Sequence, residues 1–138
     1  MFDIRVKSVK ALDNFLLEVE FNTGVVKQFD VSEMISKYED FEPLKNKNFF
    51  QNVSVDLKGY GIFWNDDIDI SASKLWKDGV LVKKASKTLE KSLYKNGQGR
   101  YGAKINLPLN WLQTVGVTEK DEVLLMNFDG DKIEITKA

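Results

Sequence analysis

Residues 15–30, FLLEVEFNTGVVKQFD, carry the pattern that decides the fold class. Phe15, Leu17, Val19 and Phe21 recur at every second position, with Leu16, Glu18 and Glu20 between them. Side chains of a strand alternate between the two faces of its sheet, so this spacing predicts a strand with one buried face. Asn22-Thr23-Gly24 supplies turn chemistry, and Val25 to Phe29 returns as a second strand. Upstream, Ile4, Val6 and Val9 predict an opening strand. Downstream, Asp30 and Glu33 have the spacing of a capping box ahead of a short helix over 31–38. Pro43 fits the first turn of another helix ending near Phe49-Phe50. Val53 to Leu57, the turn Lys58-Gly59-Tyr60-Gly61 and Ile62-Phe63-Trp64 make a second hairpin. Ser71 is placed to cap a helix through Leu75 and Trp76 that Gly79 stops. The order β-β-β-α-α-β-β-α predicts a small α+β domain of mostly antiparallel strands over residues 1–79.

The last forty residues form a second pattern. Ala103 to Leu107 alternates and Pro108 ends that strand; Leu109 to Val115 fits a two-turn helix closed by Gly116. Glu122 to Phe128 and Lys132 to Thr136 flank the tight turn Asp129-Gly130, which completes β-α-β-β. A unit this small rarely folds alone without disulfides, a metal or a partner. Homodimerisation through this segment is the expectation, and docking onto the first domain is the alternative.

The chain has 138 residues, 20 Lys+Arg against 21 Asp+Glu, no Cys and no His. Without them there is no disulfide, no Ser-His-Asp or Cys-His catalysis and no His/Cys zinc site. An enzyme is therefore not expected, and neither catalytic residues nor a cofactor are assigned. Asp66, Asp67 and Asp69 offer three carboxylates in four residues but lack the spacing of a calcium loop. A polar turn explains them better than a metal site. No run nears the ~20 apolar residues of a membrane span, and MFDIRVKSVKALD has no signal-peptide core, so a cytoplasmic protein is expected.

The net charge of −1 hides an uneven layout. Residues 1–79 carry −4, residues 80–104 carry +6 and residues 105–138 carry −3. In the basic band Lys84, Lys87, Lys91 and Lys95 recur at helical spacing, as do Val82, Ala85, Leu89 and Leu93. Residues 80–94 are accordingly either an amphipathic helix or a flexible linker.

Two family resemblances follow from these residues. VKALDNFLLEVEFNTG, FDVSEM, FEPLKNKNFFQNVSVD and GIFWNDDIDISASKLW resemble the small bacterial family called domain of unknown function 2442. Phe21, Gly24, Asp30, Pro43, Leu44, Trp64, Asp69 and Ile70 occupy its landmarks, with Asn65 and Asp67 where Pro and Gly are usual. KINLPLNWLQTVGVTEKDEVLLMNFDGDKIEITK resembles the AbrB/MazE-like swapped-hairpin family. Ile105, Leu107, Pro108, Leu112, Gly116, Val117, Asp121 and Val123 match that pattern, and Lys95 to Gly99 resembles its K-x-G-N-S lead-in. Leu112-Gln113 stand where some members have Arg-Arg, and Lys120 replaces the usual Gly.

The second resemblance implies a domain over 95–138 in which two chains interleave hairpins into one barrel whose basic edge meets DNA. The basic residues expected there are Lys91, Lys95, Arg100 and Lys104. The implied function is a dimeric DNA-binding protein, a transcriptional regulator or an antitoxin repressing its own operon. The alternative is a protein-interaction module whose first domain binds a partner such as a cognate toxin.

Overall fold

The computed structural model describes residues 3–138 and divides into two compact units, Ile4–Ser86 and a second containing Lys87–Ala138. The chain is α+β with antiparallel sheets throughout.

In the first unit β1 (Val6–Ala11), β2 (Leu16–Phe21) and β3 (Val26–Asp30) form the expected meander. Leu17, Val19 and Phe21 are fully buried, and Glu18 and Glu20 lie on the other face, as the alternation requires. Helix α1 (Ser32–Lys37) has Val31 at its N-cap with no side-chain cap, so the expected capping box does not form; Asp30 Oδ1 instead accepts the Ser32 N–H at 2.9 Å in an Asx turn ahead of the helix. The single helix expected after Pro43 is instead a 3-10 segment (Glu39–Lys45) and a one-turn helix α2 (Lys47–Phe50). The cause is Asn46, which adopts an extended conformation and caps α2 by accepting the Phe49 N–H at 3.1 Å.

Strands β4 (Ser54–Val55), β5 (Gly61–Asn65) and β6 (Ile68–Ser71) make a three-stranded sheet. β6 corrects the expectation of a loop after Trp64. Ile68 and Ile70 are buried while Asp69 faces solvent, and Asn65 Oδ1 accepts the N–H groups of Asp67 and Ile68 to close the turn. Ser71 then caps α3 (Ala72–Asp78), accepting the Lys74 N–H at 3.1 Å. Gly79 ends it by turning extended (φ −71°, ψ 151°), and a Cβ there would stand 2.5 Å from the Leu75 carbonyl oxygen.

β7 (Val80–Lys83) overturns the helix reading of 80–94. It pairs antiparallel with β3 and completes the sheet order β1-β2-β3-β7. A β-branched Val-Leu-Val run beside an open strand edge gains ladder hydrogen bonds that an uncapped helix with two serines and a threonine does not match. Residues 84–91 have no regular structure.

The core lies among Leu17, Phe21, Val31, Leu44, Ile62, Ile68 and Leu75. Phe21 meets Trp76 edge-on with centroids 4.9 Å apart, and the buried Trp64 indole donates to the Phe50 carbonyl at 2.8 Å. At ~25 cal/mol per Å² of apolar surface, such rings add to a core that is mostly aliphatic.

The second unit comprises β8 (Ser92–Lys95), β9 (Tyr101–Lys104), α4 (Leu109–Thr114), β10 (Leu124–Phe128) and β11 (Ile133–Lys137). Its strands form two separate hairpins, β8-β9 and β10-β11. β8 was not foreseen, and the first strand ends at Lys104 instead of Leu107. Gly116 closes α4 with φ +91°, as its place after Val115 predicts.

Candidate nucleic-acid interface

The basic residues singled out in the sequence converge on the β8-β9 ribbon. Lys91 precedes β8, Lys95 ends it, Arg100 lies in the connecting turn and Lys104 ends β9, all exposed. The register pairs Ser92 with Lys104, Leu93 with Ala103, Tyr94 with Gly102 and Lys95 with Tyr101. Directly paired residues share a face and successive residues alternate. Ser92, Tyr94, Gly102 and Lys104 therefore lie on one face, and Leu93, Lys95, Tyr101 and Ala103 on the other. A single basic edge is not what forms: Lys95 and Lys104 point to opposite sides.

Each lysine has an aromatic support. Lys104 Nζ sits 5.3 Å from the Tyr94 ring centroid, and Lys95 Nζ sits 5.9 Å from that of Tyr101. Tyr94 lies flat across the ribbon because Gly102 opposite has no side chain; a Cβ there would stand 2.5 Å from the ring. Both tyrosines escaped the sequence reading, since their role depends on partners six to ten residues away across the hairpin. The signal available was aromatic residues interleaved with lysines.

The turn is fixed locally. Asn96 Oδ1 accepts the N–H groups of Gln98 at 2.9 Å and Arg100 at 3.0 Å, and the Asn96 N–H donates to the Arg100 carbonyl at 2.7 Å. Gly99 takes φ +79°, a conformation that side chains resist.

The β10-β11 hairpin has a different surface. Leu124, Met126 and Phe128 share a face with Ile133, Ile135 and Lys137, whereas Leu125, Asn127, Glu134 and Thr136 occupy the other. The apolar face is open: Met126 is 66% exposed, Phe128 72% and Ile133 64%. Among the described residues of this unit only Val117 is buried. Asp121 Oδ2 accepts the Thr118 N–H at 2.7 Å and so closes the loop ahead of β10.

The first unit offers a cleft of about 480 Å³ lined by Leu16, Phe29, Met34, Tyr38, Lys74 and Asp78, among others. Lys74 and Asp78 neutralise one another at 2.5 Å; their hydrogen bond raises the lysine pKa and lowers that of the aspartate. Asp66 and Asp67 occupy the β5-β6 turn and Asp69 the exposed face of β6. Among the described residues no group of three or more acidic side chains is arranged to hold a metal ion, and no helix is long and apolar enough to cross a membrane.

Residues 6–80 match the family described as "Protein of unknown function (DUF2442)", which is more than half of the chain. No curated protein and no solved structure matches.

Proposed function

The chain belongs to the DUF2442 family, and we propose that this member is a dimeric DNA-binding protein acting as a transcriptional regulator or an autoregulating antitoxin. The observation that carries the reading is the β8-β9 ribbon, with tyrosine-supported lysines on opposite faces. The major groove of B-DNA, ~12 Å wide, admits a two-stranded β-ribbon. A ribbon seated there presents Lys95 to one phosphate wall and Lys104 to the other, with Lys91 adding charge behind them. The AbrB/MazE-like pattern of residues 95–138 supports the same assignment.

Dimerisation is supported by the β10-β11 hairpin, whose two faces differ sharply in polarity. An exposed apolar face this continuous is rare on a lone soluble domain, and a second copy covers it by interleaving hairpins. The dimer doubles the ribbons and sets two half-sites. Gel-shift titration against the DNA upstream of its own gene tests the function. A retarded complex at low salt that weakens as salt rises is expected; no complex at low salt overturns the proposal.

A second reading, a module that binds a protein partner such as a toxin, draws on the β7 edge, where Val80 is 70% exposed. It replaces the first if the native complex holds a stoichiometric protein partner and the chain retains no DNA.

A further inference from the structure

Lysines on a groove wall hold a protein to any duplex alike, because phosphate contacts carry no sequence information. The tip of the β8-β9 ribbon is built differently from its flanks. Asn96 spends its side-chain oxygen on the backbone of Gln98 and Arg100, and its carbonyl accepts the Gly99 N–H at 3.0 Å. The turn is thereby locked from within, and both lone pairs of the Asn96 side-chain oxygen are taken. Gln98 and Arg100, one on each side of Gly99, are exposed, and among the described residues their side chains make no hydrogen bond or ion pair.

These two side chains have the donor patterns that read bases. A glutamine amide matches the N6 and N7 of adenine, and an arginine fork matches the O6 and N7 of guanine. Lys95 lies back from the tip on the last paired rung, and Lys104 three rungs further along β9. The ribbon thus separates wall-facing lysines from tip donors.

We infer that Gln98 and Arg100 determine the DNA sequence this protein prefers, reading base edges from a tip that Asn96 positions. The inference rests on the DNA-binding reading above. Gln98 is a specificity residue by its place on the tip, and Arg100 does more than neutralise a phosphate.

The test is selection from a pool of randomised duplex DNA, followed by polarisation titrations on the selected and an unselected duplex. Wild type is expected to enrich one motif. Arg100→Ala and Gln98→Ala each relax one position of each half-site and lose roughly 5- to 150-fold on the selected duplex. Their affinity for the unselected duplex changes far less. Lys95→Ala with Lys104→Ala weakens both duplexes alike. Asn96→Ala blurs the motif, and Asn96→Asp, which keeps the acceptor, restores it. A motif unchanged in both Arg100→Ala and Gln98→Ala overturns the inference. Salt-dependent binding with no enriched motif also overturns it, while leaving the proposed function standing. No retention of any duplex at low salt removes the proposed function itself.

Discussion

Met126 stands in the middle of the apolar β10-β11 face, directly opposite Ile135. On the dimer reading, its exposed 66% becomes buried when the second copy binds. Full burial of a methionine side chain contributes ~2 kcal/mol. The part still exposed is therefore worth ~1.3 kcal/mol per protomer, nearly all of which Met126→Ala removes. Two-fold symmetry repeats the loss, giving ~2.6 kcal/mol per dimer, or roughly 70-fold in dissociation constant. Sedimentation velocity over a range of concentrations measures this directly. Asn127→Ala, on the opposite face, serves as the control and should shift the constant less than about fivefold. A Met126→Ala chain that dimerises like wild type refutes the reasoning, as does a wild-type chain that stays monomeric at every concentration.

Three further outcomes follow from the geometry. Lys104→Ala should leave dimerisation intact and flatten the salt dependence of DNA binding by about 2 in log–log slope, because the dimer loses two phosphate contacts; polarisation titrations at several salt concentrations check this. Gly79→Ala forces a methyl against the Leu75 carbonyl and should cost the first unit ~1–3 kcal/mol, read as a lower urea midpoint with unchanged slope in Trp fluorescence. Asp129 accepts backbone N–H bonds from Lys132 and Asp131, which hold its carboxyl below the ordinary aspartate value. A folded-state pKa below the unfolded one means its contribution is present above the ordinary aspartate range and fades as pH falls through the depressed value. A carboxyl NMR titration should place the midpoint low, and a midpoint at or above the ordinary value contradicts the assignment.

Local chemistry in this chain was legible wherever partners are near in sequence. The alternation of β2, the Ser71 cap, the Gly116 stop and the Asp129-Gly130 turn each depend on a handful of neighbours. β6 carried the same period-2 signal in Ile68 and Ile70, masked by the run of aspartates. β7 was misread because lysines at helical spacing from Lys84 onward share a segment with Val80-Leu81-Val82, and only the free edge of β3, fifty residues away, decides the conformation. In the candidate interface, Lys91, Lys95, Arg100 and Lys104 fall on or beside one hairpin, whose first strand, β8, the sequence reading did not contain. Their division between faces was hidden, because parity across a hairpin depends on which residue pairs with which. A one-residue shift in the β8-β9 register would put Lys95 and Lys104 on the same side. The roles of Tyr94, Tyr101 and Asn96 emerge only from that register.

The salt dependence of duplex affinity tests the central claim most directly. Lys91, Lys95 and Lys104 from two protomers give six phosphate contacts, so log affinity against log salt concentration should fall with a slope near −5. Polarisation of a labelled duplex between about 50 and 200 mM salt measures it. A slope near that value is the predicted result, and absence of binding at the low-salt end, or affinity independent of salt, would contradict a DNA-binding role for this protein.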